Sequence, residues 1–356
     1  MMKVACRKLT GPASKGLALS LMALVIVLLA GCDSGPGEHR FQGPIFGTGY
    51  HVTVYADLDQ DDYARLESGI LTELERIDAL MSTYRDDSEL SRFNRFPVAV
   101  PFFVSPATAE VIRESQRIAR LSNGAFDMTI GPAVNLWGFG PEGRPEEVPD
   151  VRTLREALSR VDVNALQLKD GMLSKTKPVY VDLSGIAKGY ATDQVADYLE
   201  ASDVANYLVE VGGEIRTHGH KPGNEPWRIA VEKPVSNERS AQRIIDLEAA
   251  AVATSGDYRN YFEADGVRYS HTIDPRTGRP IDNRVASVTV ITERSATADA
   301  LATAFTVMGA DAGLKMAEQE NLAVYFIVRE EEGFTTRMSS SFEPYLDEPA
   351  TEKETT

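Results

Sequence analysis

An apolar run from Leu17 to Ala30 ends in Leu29-Ala30-Gly31-Cys32, and this boundary decides how much of the chain is available to fold. Before the run stand Lys3, Arg7, Lys8 and Lys15 with no acidic residue among them. A basic stretch, a short apolar stretch and small residues make a secretory signal, which predicts removal of residues 1–31. The run is shorter than the ~20 residues that a spanning helix needs. The two cysteines, Cys6 and Cys32, lie before or at the boundary. The domain that follows therefore has no disulfide, no cysteine metal site and no cysteine nucleophile, and must hold itself together by apolar packing.

The tetrad ending at Cys32 resembles the lipobox of bacterial lipoproteins, which implies cleavage before Cys32 and lipidation of that residue. Asp33 resembles the signal that keeps such an anchor in the inner membrane of Gram-negative bacteria. The expected location is thus the periplasmic side of the cell inner membrane. Residues 32–42 are expected to be a tether, since 33–40 are rich in Gly, Ser, Pro and charge. Residues 43–342 are expected to form one domain, and 343–356 a disordered acidic tail. The net charge of −16 becomes more negative once the basic leader is lost. Such a surface repels nucleic acid and anionic lipid, which excludes nucleic acid as a partner.

Between these ends, short helical and strand patterns are interspersed. Thr48–Tyr55 alternates as a strand does. Leu66, Ile70, Leu74, Ile77 and Met81 recur at helical spacing. Ser105-Pro106 opens a second helix through Leu121, and Asn123-Gly124 stops it. A short helix is expected over 153–160, a strand over Val179–Asp182 and a helix over Ile186–Leu199. Short strands fill Tyr207–Ser270. A strand over Ser287–Thr292, helices over 295–308 and 311–320 and a strand over Leu322–Val328 complete the chain. Without a regular βαβ repeat, the fold class is α+β, with a mixed or antiparallel sheet flanked by helices.

Four stretches carry chemistry. In Val181-Asp182-Leu183-Ser184-Gly185-Ile186-Ala187-Lys188 a strand turns into a helix whose first amides are unpaired. With Lys188 in the first turn this suits a phosphate; equally, Ser184 caps the helix and Lys188 is solvated. In Gly124–Gly140, Phe126, Trp137 and Phe139 alternate with glycines and Asp127. Such rings suit a planar ligand or the core. The spacing Gly138-Phe139-Gly140-Pro141-Glu142-Gly143 matches the dinucleotide glycine pattern, but no strand precedes it and Pro141 occupies it. In Ser270-His271-Thr272-Ile273-Asp274-Pro275 a strand ends in a turn, which makes His271 either a general base or a turn-stabilising residue. In Ser295-Ala-Thr-Ala-Asp299-Ala-Leu-Ala302-Thr303, a carboxylate and a hydroxyl four residues apart share one helix face. Asp299 either complements the helix dipole after a Ser295 cap, or joins Thr303 in an oxygen set for a hard cation such as Mg²⁺.

These stretches, in this order, resemble the ApbE family of flavin transferases. So do Met81-Ser-Thr-Tyr84, running on to Ser88-Glu89-Leu-Ser91-Arg-Phe-Asn94, Val209-Glu210-Val-Gly212-Gly213-Glu214-Ile215 and Ala253-Thr-Ser255-Gly256-Asp257-Tyr258. The resemblance implies that FAD is bound with Mg²⁺ and its pyrophosphate split. FMN is joined by a phosphoester to a Thr or Ser of a partner protein, and AMP leaves. The implied partners are subunits of Na⁺-translocating NADH:quinone reductase or of Rnf-type complexes. Carried over by position, Tyr84, Ala125, Phe126, Asp127, Asp182, Lys188 and Ile273 line the FAD site. Phe46, where relatives often have Met, packs on the flavin. Gly185 (through its carbonyl), Asp299, Ala302 and Thr303 surround the metal, and His271 is the base for the acceptor hydroxyl. Two other activities fit the same motifs: a Mg²⁺-dependent FAD hydrolase giving FMN and AMP, and a periplasmic flavin-binding lipoprotein without chemistry.

Overall fold

The computed structural model describes residues 36–142, 148–234, 241–256, 261–264 and 266–346. The expected signal (1–31), Cys32, the first residues of the tether and the end of the tail lie outside the described residues.

The chain enters through a hairpin, β1 (Gly37–Ile45) and β2 (Thr48–Ala56), joined by Phe46-Gly47. Both loop residues have positive φ, 52° and 70°, as the tight hairpin turn that matches strand twist requires. Residues 37–42, expected in the tether, therefore belong to β1. Only Phe41 of this strand is fully buried, 4.6 Å from the Tyr63 ring. Burial alternates from His39 to Ile45, but His39 and Gly43 are not apolar side chains, so the sequence shows little of it.

Helix α1 (Gln60–Met81) buries the five apolar residues that the spacing picked out. Asp59 caps it by accepting the Asp62 N–H at 2.8 Å. After α2 (Glu89–Arg95) and β3 (Phe102–Phe103), Ser105 caps α3 (Pro106–Leu121), accepting the Thr108 N–H at 3.2 Å. The chain leaves α3 through Asn123 and Gly124, both at positive φ. Then come α4 (Gly131–Leu136), α5 (Val151–Leu158), β4 (Leu166–Lys169) and β5 (Met172–Lys175), with β3, β5 and β4 forming a small sheet.

The strand expected over Val179–Asp182 is reduced to one bridge, Tyr180 to Ile130. A side chain takes the place of a neighbouring strand. The Asn94 amide accepts the Val181 N–H and donates to the Val181 carbonyl, both at 2.8 Å. The Asp182 N–H donates to the Met128 carbonyl at 2.7 Å.

Beyond this extended stretch lie α6 (Ala187–Ala201), β6 (Tyr207–Val211), β7 (Glu214–His218), β8 (Trp227–Glu232), β9 (Ala241–Leu247) and β10 (Ala250–Gly256). Two short hairpins follow, β11 (Tyr261–Ala264) with β12 (Val267–Ser270) and β13 (Ile273–Asp274) with β14 (Arg279–Pro280). The chain closes with β15 (Val285–Thr292), α7 (Ser295–Met308), α8 (Ala310–Gln319), β16 (Ala323–Arg329) and β17 (Phe334–Met338). The main sheet has the order β1-β2-β6-β7-β10-β15-β16-β17. From β2 to β17 every neighbouring pair is antiparallel. The α+β expectation holds.

One face of the sheet packs under α1, α6 and α7 in the largest apolar cluster, which includes Ile77, Val195, Leu301 and Phe305. The other face carries the β8–β9 hairpin through Trp227, Ile229, Val231 and Ile245. Phe342 is buried in that second cluster, stacked 5.2 Å from Tyr325. It anchors a 3₁₀ turn, Ser340–Tyr345. Residues 343–346, expected in the disordered tail, are thus ordered, because Tyr345 and Leu346 pack beside Phe342.

Candidate active site

Helices α6 and α7 cross at Gly189. A Cβ there would lie 2.3 Å from the Ser295 carbonyl oxygen, so only glycine permits the approach. The crossing brings the start of α6 against the Asp299 side of α7. The Gly189 N–H donates to Asp299 Oδ2 at 3.1 Å.

Neither serine expected to cap these helices does so. At α6 the N-cap is Ile186, without a side-chain cap. Asp182 Oδ1 instead accepts the Ser184 N–H at 2.8 Å and shapes the preceding turn. At α7 the N-cap is Arg294. The cap is supplied from α6: Asp193 accepts the Ser295 N–H at 2.9 Å and the Ala296 N–H at 3.0 Å. Arg216 and Arg294 flank that carboxylate at 3.3 and 3.4 Å. The Ser295 hydroxyl is buried and has no partner. A cap contributed by another helix leaves no local sequence pattern.

Around the crossing opens a cavity of about 950 Å³. Phe46, Tyr84, Ala125, Phe126, Asp127, Asp182, Gly185, Lys188, His271, Ile273, Asp299 and Thr303 all line it. Among the residues expected at the site, only Ala302 stays behind the wall. It is buried, and its carbonyl accepts the Thr306 hydroxyl at 2.8 Å.

The lining includes an aromatic group, Tyr84, Phe139 and His271, and a charged group, Lys188, Glu214 and Asp299. In the aromatic group Tyr84 is 72% exposed and reaches over to the Phe139 carbonyl at 3.4 Å. The Phe139 ring also lies 6.3 Å from His271, edge-on. Trp137 belongs to the core instead. It stacks 5.4 Å from Tyr269 and donates Nε1–H to the Gly278 carbonyl at 2.7 Å. Phe46 lines the cavity from the positive-φ hairpin turn, a conformation uncommon for a bulky residue. Asp127 has structural duties at the rim, accepting the Thr129 N–H at 2.7 Å and the Val163 N–H at 3.1 Å. Burial pushes its carboxyl above the usual range despite these bonds.

In the charged group, Lys188 Nζ donates to Glu214 Oε1 at 2.5 Å. Burial alone would lower the ammonium, but the Asp299 and Glu214 carboxylates outweigh it and hold Lys188 charged. Burial pushes Glu214 up to about 8 against the pull of Lys188, with Asp299 adding to the rise. Burial raises Asp299 as well, and Lys188 opposes that rise. Asp182 is raised by burial and partly restored by the Ser184 amide. Sequence reading missed Glu214 as a site residue. Its signal was an acid directly after Gly212-Gly213, whose positive φ values turn β6 into β7. A Cβ on Gly212 would lie 3.0 Å from Lys188 Cδ, so the glycine makes room for the lysine stem.

The candidate ligands for a cation beside Asp299 are oxygens. Among the described residues no three His, Cys, Asp or Glu side chains converge into a metal cluster. The set is one buried carboxylate, Asp299, with the Thr303 hydroxyl beside Gly185. A Cβ on Gly185 would lie 3.4 Å from Thr303 Oγ1. One carboxylate plus neutral oxygens fits Mg²⁺, which keeps several waters and takes its remaining ligands from substrate phosphates.

A cavity lined by aromatic rings and a Lys–carboxylate cluster in an α+β fold suits a nucleotide with a planar ring. The assignment is specific: the ApbE family model matches residues 46–326, and the chain belongs to the ApbE family. It is 49% identical to the FAD:protein FMN transferase of Vibrio cholerae serotype O1 over 92% of this chain and 98% of that protein. With the FAD:protein FMN transferase of Haemophilus influenzae it shares 44% identity, covering 92% and 97%. Among solved structures it resembles the flavin transferase ApbE from Vibrio cholerae, with a TM-score of 0.82 and 47% identity over 87% of this chain and 100% of that one. The apo form of Pseudomonas stutzeri flavinyl transferase ApbE gives a TM-score of 0.82 and 40% identity, covering 88% and 98%.

Proposed function

We propose that this chain is an FAD:protein FMN transferase that depends on Mg²⁺. The observation that carries this reading is that Lys188, Asp299, Thr303 and Gly185 line one cavity together with Phe46, Tyr84 and Phe139. The flavin ring suits the aromatic group. The pyrophosphate suits the charged group, where Lys188 supplies a fixed positive charge. Asp299, Thr303 and the Gly185 carbonyl would hold Mg²⁺, which when bound neutralises phosphate charge and makes phosphorus more electrophilic.

In the reaction, a threonine or serine hydroxyl of the acceptor forms the new O–P bond to the FMN phosphate. The P–O bond to the AMP portion breaks and AMP leaves. The hydroxyl proton goes to His271, which lies at the end of β12 on the cavity wall, near Phe139. AMP leaves as a phosphate of low basicity, so no strong acid is needed opposite the base.

The acceptors we propose are flavin-carrying subunits of Na⁺-translocating NADH:quinone reductase or Rnf-type complexes. Support is the leader ending at Cys32-Asp33, which would hold the enzyme on the periplasmic side of the inner membrane beside them. Among the described residues no helix is long and apolar enough to cross a membrane, so the lipid would be the attachment. Cys32→Ser should abolish lipid labelling and leave the precursor uncut; normally processed, soluble protein from that variant contradicts the anchor.

The activity is tested by incubating the protein with FAD and Mg²⁺, with and without an acceptor subunit, and measuring AMP. Release that requires the acceptor supports transfer. Equal release without it makes the protein a hydrolase.

A further inference from the structure

The proposed reaction gives no task to Glu214, yet its surroundings are specific. The side chain is buried, lines the cavity and holds the Lys188 ammonium on Oε1. Its Oε2 is buried and has no partner. Lys188 is also held charged by Asp299. Glu214 bonds the ammonium directly, while Asp299, which accepts the N–H of the adjacent Gly189, is the candidate cation ligand.

That arrangement sets up a competition. An ammonium seated fully on Asp299 would cancel the charge that a divalent ion needs, because both cations seek the same carboxylate. A lysine stem is flexible enough to make that move. Glu214 opposes it from the first position of β7. There the turn at Gly212-Gly213 fixes the backbone and leaves the lysine stem its channel.

We infer that Glu214 is a positioning residue: it holds Lys188 off Asp299, leaving that carboxylate for the divalent cation and the ammonium for the pyrophosphate. The inference rests on the reading of Asp299 as a cation ligand and adds the residue that keeps it available.

The test is Mg²⁺ binding by titration calorimetry, with and without FAD, repeated from neutral pH upwards because burial raises the Glu214 carboxyl. Four proteins are compared: wild type, Glu214→Gln, Lys188→Met and the double variant. Melting curves check that each is folded. Glu214→Gln should weaken Mg²⁺ binding about tenfold, because Lys188 then settles on Asp299. Lys188→Met should bind at least as tightly as wild type. The double variant should recover to within about threefold of wild type, since no ammonium remains to compete. Glu214→Asp, which keeps the charge, should fall between wild type and Glu214→Gln. Unchanged affinity in Glu214→Gln, or failure of the double variant to recover, overturns the positioning role. A wild-type protein that binds no Mg²⁺ with FAD either present or absent overturns the cation site itself, so the two failures are told apart.

Discussion

Asp193 caps the helix that begins at Ser295, taking the Ser295 and Ala296 N–H groups on its two carboxylate oxygens at 2.9 and 3.0 Å. The cap crosses from α6 to α7, so one side chain both starts the Asp299 helix and ties it to the Lys188 helix. Asp193→Ala removes a cap worth about 1–2 kcal/mol and one partner of Arg216 and Arg294, which still pair with Asp197. Denaturant unfolding should show at least that loss, and the Mg²⁺ needed for half-maximal activity should rise. Normal stability with a normal Mg²⁺ requirement would count against the coupling of the two helices.

Asp299→Asn keeps the shape of the side chain and removes its charge inside the protein. Activity at low Mg²⁺ should fall by about 100-fold or more, because Asp299 is the one charged group in the proposed ligand set. Thr303→Val is nearly isosteric, removes a dipole and should cost less. If Asp299 served only the helix dipole, Asp299→Asn would cost about 0.3–1 kcal/mol of stability and leave the rate intact. Rate against Mg²⁺ beside a melting curve separates the two accounts.

Stability should depend on pH through Asp182. Burial raises its folded-state pKa above the ordinary carboxyl value of about 4. Between those two values the folded chain holds a proton that the unfolded chain has lost, so this group's contribution is full at low pH and declines as pH rises. Asp182→Asn removes the titration and still accepts the Ser184 N–H. The melting temperature of the variant relative to wild type should therefore climb as pH rises from about 4 towards neutrality. A flat difference would mean that Asp182 is not strained by burial.

His271→Ala should retain most FAD affinity and lose transfer by about 10²–10⁴-fold, the usual contribution of a positioned base. Flavin fluorescence titration measures the first and acceptor labelling the second. An equal fall in both would make His271 a binding residue.

The parts of this fold that were legible in the sequence are those set by local periodicity. The five apolar positions of α1 and the Ser105 cap of α3 could be read directly, because each is fixed within a few residues. The cavity residues were legible through motif order, and the structure brings all but Ala302 to one cavity. What was not legible depends on distant partners. Ser295 looks like a cap until Asp193 of another helix takes the role. Val179–Asp182 looks like a strand until Asn94 satisfies its backbone. Residues 37–42 and 343–346 carry too few buried side chains, chiefly Phe41 and the neighbours of Phe342, to mark them as ordered. Glu214 was hidden because an acid after two glycines reads as a solvated turn unless its burial is known.

The central claim is that this cavity moves FMN from FAD to a protein hydroxyl. The direct measurement is the intact mass of an acceptor subunit after incubation with this protein, FAD and Mg²⁺. The account predicts a gain equal to one FMN less one water, located on a single threonine or serine. It also predicts a matching amount of AMP, and no gain with Asp299→Asn at low Mg²⁺. An acceptor of unchanged mass while FAD is consumed, or an acceptor that gains FMN equally well with Asp299→Asn, would contradict it.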